Sequence, residues 1–166
     1  DLLLSKVDKK TAIVFLPNPN IPISGTLNLN ALRMIANHCL KTNTFLVIDE
    51  VYYPFGGPTA TSLIDDFDNL FVIQSFSKAF GLASIRLGYL LGSASNIDYV
   101  SKTRTGYETN SISIAIASFF IDNYYLVENY IDQVKDGFEY LKYEFDKNNL
   151  VYNGGTDGNF IYLYLG

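Results

Sequence analysis

Cysteine, histidine and methionine each occur only once in the 166-residue chain. The single cysteine, Cys39, rules out an internal disulfide and fits a reducing compartment. Its one histidine neighbour, His38, cannot complete a zinc site with it, because two adjacent ligands fall short of the four that such a site needs. Cys39 shares a helical spacing with Leu32, Ile35 and Ala36, so packing is its expected use, and His38 is expected to be a surface or hydrogen-bonded helix residue. Basic residues are also few. Lys and Arg total 12 against 17 Asp and Glu, a net charge of -5, which argues against a surface that binds nucleic acid by neutralising phosphates. There is no apolar run long enough to cross a bilayer, no signal-peptide pattern, no internal repeat and no low-complexity tract, so the expected location is cytoplasmic with no membrane partner. The 13 tyrosines and 12 phenylalanines form no base-stacking motif and are expected to serve core and interface packing.

The sequence does contain short apolar runs that end in polar chemistry. Residues 11–16, 45–48 and 70–73 are β-branched or aromatic and read as buried parallel strands. Asn18 and Asn20 follow the first, Asp49 and Tyr52 the second, and Ser75, Ser77 and Lys78 the third. Ligands in open α/β sheets lie beyond the carboxyl ends of the strands, so the three sets are expected to converge on one crevice. Between the first two runs, Leu29, Leu32, Ile35, Ala36 and Leu40 form a helical stripe over 27–40 that would cover the sheet. Residues 53–68, with Pro54, Gly56, Gly57 and Pro58, predict a loop with a short helical turn, and Asp65 and Asp66 are expected to be solvated, or at a helix end, rather than catalytic. Residues 86–91 make a further apolar run. Residues 111–125 predict a buried helix. Residues 127–148 carry Ile131, Val134, Phe138, Leu141 and Phe145 along one helical face. A turn at 153–155 and an alternating strand at 159–165 complete the pattern.

One lysine stands out. Ser75-Phe76-Ser77-Lys78-Ala79-Phe80-Gly81, with Arg86 downstream and Asp49-Glu50-Val51-Tyr52 upstream, sets Lys78 among hydroxyls, a guanidinium and an acid. That set suits pyridoxal phosphate. Its aldehyde needs an amine, its phosphate needs hydroxyl, amide and Arg donors, and its pyridine nitrogen needs a carboxylate to hold a proton. A helix beginning just after Lys78 would add backbone donors for the phosphate. Gly81 and Gly88 would allow close backbone approach, or equally serve as turn or strand-packing glycines. No phosphate-loop pattern competes for Lys78, because the residue before it is Ser77 rather than glycine.

Pro17-Asn18-Pro19-Asn20-Ile21-Pro22, Asp49-Glu50-Val51-Tyr52, Ser75-Phe76-Ser77-Lys78 and Arg86-Leu87-Gly88 occur in the order and rough spacing of fold-type I aminotransferases. The chain most resembles the histidinol-phosphate aminotransferases, and Tyr107-Glu108-Thr109-Asn110 is similar to a stretch that precedes a long helix in that family. The resemblance implies that Lys78 binds the coenzyme covalently, that Asp49 partners the pyridine nitrogen, and that Tyr52 donates to the phenolic oxygen of the ring. Ser75, Ser77 and Arg86 would hold the phosphate. The family's asparagine immediately before the second proline is Ile21 here, so its ring-oxygen contact passes to Asn20 first and Asn18 second. Residues Ile23-Ser24-Gly25 also depart from the family's threonine and glycine.

The resemblance further implies an α/β fold: a mainly parallel sheet forming part of the large domain over 1–125, a connecting helix over 126–149, and the start of a small α+β domain over 150–166, with 86–91 as an antiparallel strand of the sheet. The chain is then expected to be a piece of a longer, homodimeric protein. The implied activity is transfer of an amino group between an amino compound, such as histidinol phosphate or an aromatic amino acid, and 2-oxoglutarate as the 2-oxo acid. Two alternatives share the coenzyme residues: a decarboxylase or lyase of the same fold, and the aminotransferase-like effector domain of a transcriptional regulator.

Overall fold

The computed structural model describes residues 2–22 and 25–164. Four strands, β1 (Ile13–Pro17), β2 (Phe45–Asp49), β3 (Leu70–Ser75) and β4 (Gly88–Gly92), form one sheet in the order β1-β2-β3-β4. The first three are parallel, and β4 runs antiparallel to β3. The predicted strands are thus present in the expected sense. Pro17 pairs with Asp49 and Asp49 with Ile73, which aligns the carboxyl ends in one row.

Helix α1 (Leu29–Lys41) begins at Asn28, whose side-chain oxygen accepts from the Ala31 amide at 2.9 Å and satisfies one of the unpaired donors of the first turn. It buries Leu32, Ile35, Ala36 and Cys39 against Leu46, Ile48, Leu70 and Val72 of the sheet. A side chain of this size contributes about 1.5–3 kcal/mol when fully buried. Leu29 and Leu40 of the expected stripe are instead 37% and 47% exposed, and Cys39 takes the inward position. His38 places a ring nitrogen 3.0 Å from the Val7 carbonyl, a satisfied helix histidine as expected.

Strands β1 and β2 are not buried on both faces, whereas β3 buries Phe71 on the side opposite Leu70 and Val72. Ile13, Phe15 and Phe45 point away from α1 and remain 59%, 58% and 44% exposed. Side chains alternate along a strand, so one helix layer can cover only one set. Residues 53–68 form a loop with two 3-10 turns, Tyr53–Phe55 and Ala60–Asp66, and Asp66 meets Arg33 at 2.8 Å with both side chains about half exposed.

Beyond the sheet lie α2 (Ala94–Ser101), α3 (Ser111–Asp122), α4 (Tyr125–Lys147) and an antiparallel pair, β5 (Val151–Gly154) with β6 (Ile161–Tyr164). Helix α3 overturns its expected burial: only Ser113 and Ala117 are buried, while Ile112, Ile114, Phe119 and Ile121 face outward. An apolar composition does not bury a helix unless another layer packs on it. Helix α4 buries Val127, Ile131 and Phe138, and the first two pack with Phe55 and Ala79. Asn153 and Gly154, expected in a turn, are the end of β5, because the chain reverses only at 155–160. The last residue of the strand expected at 159–165 lies outside the described residues.

Candidate active site

The ladder of the sheet continues past the strand ends and fixes the residues that follow them. The Asn18 amide donates to the Asp49 carbonyl at 2.9 Å, and the Glu50 amide donates to the Ile73 carbonyl at 2.8 Å. Asp49 is partly exposed at the end of β2, and its carboxylate accepts from the Val51 amide at 3.2 Å. The chain then turns, with the Tyr53 amide donating to the Glu50 carbonyl at 2.9 Å, and this turn carries Tyr52 toward the loop after β3. There the Lys78 ammonium lies 5.1 Å from the Tyr52 ring centroid. Phe160, just before β6, meets the same ring edge-on at a centroid distance of 5.2 Å.

No helix follows Lys78. Residues 76–82 form turns in which the Gly81 amide donates to the Lys78 carbonyl at 2.9 Å and the Leu82 amide donates to the Phe76 carbonyl at 3.1 Å. Gly81 has φ +69°, a left-handed conformation that ends any helical path and that glycine adopts without steric cost. The expected helix-terminal donors for a phosphate are therefore absent from this segment. A short 3-10 turn, Ala83–Ile85, leads instead to Arg86, also left-handed at φ +52°. Gly88 then allows β4 to approach β3, since a Cβ there would sit 3.0 Å from the Gln74 carbonyl oxygen.

Ser75, Ser77 and Arg86 border this loop. The Ser75 hydroxyl donates to the Leu87 carbonyl at 3.3 Å and accepts from the Ser77 amide at 3.1 Å. The exposed Arg86 guanidinium donates to the Ala83 carbonyl at 2.9 Å, within its own turn. Lys78 and Tyr52 thus meet, whereas the Arg86 guanidinium is engaged within its own turn.

The two asparagines separate sharply. Asn20 is exposed, and its amide pairs with the Gly25 carbonyl at 3.0 Å; Ile23 and Ser24, between them, lie outside the described residues. Asn18 is 2% exposed, with its side-chain oxygen accepting from the Leu27 amide at 2.8 Å. Its Nδ2 is buried without a partner. Buried donors are rarely left unpaired, so an orphan beside Asp49 suits a ligand acceptor. An amine, a carboxylate, hydroxyls, a guanidinium and this free donor fit the functional groups of pyridoxal phosphate, the coenzyme that the sequence resemblance implies.

The motif reading missed the layer beneath these groups. Glu50 is fully buried and accepts from the Thr59 hydroxyl at 2.7 Å, the Ala60 amide at 2.6 Å and the Gln74 side-chain amide at 2.9 Å. Gln74 in turn accepts from the Tyr89 hydroxyl at 2.8 Å. Burial, and then the nearby Tyr124, Tyr53 and Glu50, hold the Tyr89 phenol above its ordinary titration range. The available signal was Gln74 itself, an amide at the end of an apolar run.

The family model for aminotransferase class I and II matches residues 1–165. A histidinol-phosphate aminotransferase from Bacillus cytotoxicus is 31% identical over all of the chain, which covers 45% of that protein. The chain thus spans about half the length of the curated relatives it matches. Among solved structures, a histidinol-phosphate aminotransferase from Sinorhizobium meliloti in complex with pyridoxal-5'-phosphate is 24% identical with a TM-score of 0.83, covering 92% of this chain and 42% of the other. A decarboxylase from Sulfurospirillum multivorans is 28% identical with a TM-score of 0.63, covering 73% and 33% respectively.

Proposed function

Because the chain belongs to the aminotransferase class I and II family, we propose that it carries the coenzyme-holding part of a pyridoxal-phosphate-dependent aminotransferase. The observation that supports this most is the meeting of Lys78 with Tyr52 beyond the carboxyl ends of adjacent parallel strands, with Asp49 at the end of the strand that leads to Tyr52. Pyridoxal phosphate supplies an aldehyde and a ring that withdraws electrons when its nitrogen is protonated. Lys78 would hold that aldehyde, and its amine would be the base that moves a proton at the substrate α-carbon. Asp49 holds the proton on the ring nitrogen, and Tyr52 donates to the ring oxygen. Asn18 is the better second donor to that oxygen, on its orphan Nδ2, with Asn20 held in reserve. Ser75, Ser77 and Arg86 bind the phosphate, for which the Arg86 side chain must turn from the Ala83 carbonyl.

In this reading residues 1–125 belong to the large domain, 126–149 connect, and 150–166 begin the small domain of a homodimer. The amino donor is histidinol phosphate or an aromatic amino compound, the acceptor is 2-oxoglutarate, and the setting is cytoplasmic. Among the described residues no helix is long and apolar enough to cross a membrane. The similarity to the Sulfurospirillum decarboxylase favours a second reading in which the same residues serve loss of carbon dioxide.

Lys78→Ala in the full-length protein tests the site. The visible band of the bound coenzyme is expected to vanish with little change in thermal stability, and borohydride fixation of the parent protein should label Lys78. A label on another lysine would overturn the assignment. Amino donors that discharge the band without releasing carbon dioxide favour transfer; carbon dioxide release favours the second reading.

A further inference from the structure

Glu50 is an acidic side chain at 0% exposure whose three partners are all uncharged donors. A carboxylate cannot donate, so every group that touches it must, and the constraint passes outward. Gln74 must turn its Nε2 to Glu50, which leaves its oxygen for Tyr89, and Tyr89 must then donate its hydroxyl proton. The result is a one-way relay from β4 through β3 to the residue that follows β2. Both ends adjoin the candidate site. At one end, the Glu50 carboxylate ties the residue between Asp49 and Tyr52 to Thr59, Ala60 and Gln74, beside a main chain already paired with Ile73 and Tyr53. At the other, the Tyr89 ring packs on Phe76 at 5.6 Å and Phe76 on Phe80 at 4.7 Å, on either side of Ser77 and Lys78.

We propose that Glu50, acting through Gln74 and Tyr89, is a positioning residue that sets the orientation of Asp49, Tyr52 and Lys78 toward the coenzyme. This rests on the coenzyme reading above. Packing alone does not account for an acid here, since a buried charge is costly unless hydrogen bonds compensate it, and an apolar residue of similar size would avoid that cost. What the carboxylate adds is direction: an amide in its place could face its neighbours either way round, and the relay would lose its single polarity.

The test uses the full-length protein loaded with pyridoxal phosphate. Glu50→Gln should weaken coenzyme affinity about tenfold, the scale of one disrupted buried hydrogen bond. It should also change the visible circular dichroism of the bound coenzyme, which reports how the ring is held. The double variant E50Q/Q74E returns an acceptor-only group to the relay, one place nearer Tyr89, and should recover most of both signals. Tyr89→Phe removes the far donor and should shift both in the same direction by a smaller amount; it serves as the reading if Glu50→Gln does not fold. A Glu50→Gln protein with lowered melting temperature but unchanged affinity and dichroism would overturn the proposal and leave Glu50 a purely structural acid. Failure of the double variant to recover either signal would overturn the relay. If the parent protein takes up no coenzyme, the coenzyme reading falls and this one with it.

Discussion

The two faces of the sheet are built from the same residue types, yet at β1 and β2 they meet opposite fates. Leu46, Ile48, Leu70 and Val72 are fully buried under α1 and the 3-10 turn at Ala60–Asp66, whereas Ile13 and Phe15 on the other face are more than half exposed. Apolar character therefore records that a face is meant to be covered, while the element that covers it must be found elsewhere. The same distinction explains α3, whose Ile112, Ile114 and Ile121 point outward although its sequence reads as interior. Exposed apolar surface of this extent marks an interaction site or an aggregation hazard.

The largest effect expected from breaking this contrast is on the covered face. Ile48→Ala should destabilise by about 2–5 kcal/mol, because the closed core leaves a cavity rather than collapsing. Denaturant titration measures it. Cys39 provides a second readout on the same face: burial pushes its thiol up and shields it, so alkylation should be slow in the parent and accelerate in Ile48→Ala as opening becomes more frequent. Equal alkylation rates would mean that Cys39 exposure is governed by fraying of α1 alone.

An intermediate effect is expected at the start of that helix. Asn28→Ala removes the cap on the Ala31 amide and should cost about 1 kcal/mol, read as a shift in denaturation midpoint without a change in slope. The smallest stability change belongs to the open face. Phe15→Ser should alter stability by less than about 1 kcal/mol, because little buried surface is lost. It should nonetheless reduce self-association of the 166-residue chain on sizing columns. Unchanged association would place the sticky surface on α3 instead.

Turnover offers a contrast of another kind, between holding and using the coenzyme. Asp49→Asn keeps the shape at the end of β2 and should lower activity of the full-length protein by orders of magnitude while coenzyme retention falls less, since the phosphate donors are untouched. Steady-state rates and coenzyme titration on the same preparation separate the two.

Much of the fold was legible because its determinants are local. The three parallel strands and α1 follow from runs and stripes within a few residues, and the order of Asn18, Asp49 and Lys78 along the chain matched their placement at neighbouring strand ends. The absent helix after Lys78 failed on one backbone angle, that of Gly81, which composition does not reveal. Strand β5 was hidden because Asn153 and Gly154 carry turn chemistry yet pair with Tyr162 and Ile161. The Glu50 relay was illegible for a different reason. Its members are joined across 24 and 15 residues of sequence, so no window around any one of them contains the others.

The C-terminal hairpin adds a temporal consequence. Thr26, shortly before α1, donates its hydroxyl to Asp157, which lies 131 residues later, and Asp157 and Thr156 also crowd Gly56. On a ribosome the sheet and α1 can therefore assemble while this partner is still unsynthesised, and only the contacts at Thr26 and Gly56 wait for Asp157. Translation at about 5–20 residues per second makes that interval several seconds long. A nascent chain stalled before Asp157 should already protect β2 and β3 from proteases, yet remain cleavable around Gly56 and Gly57.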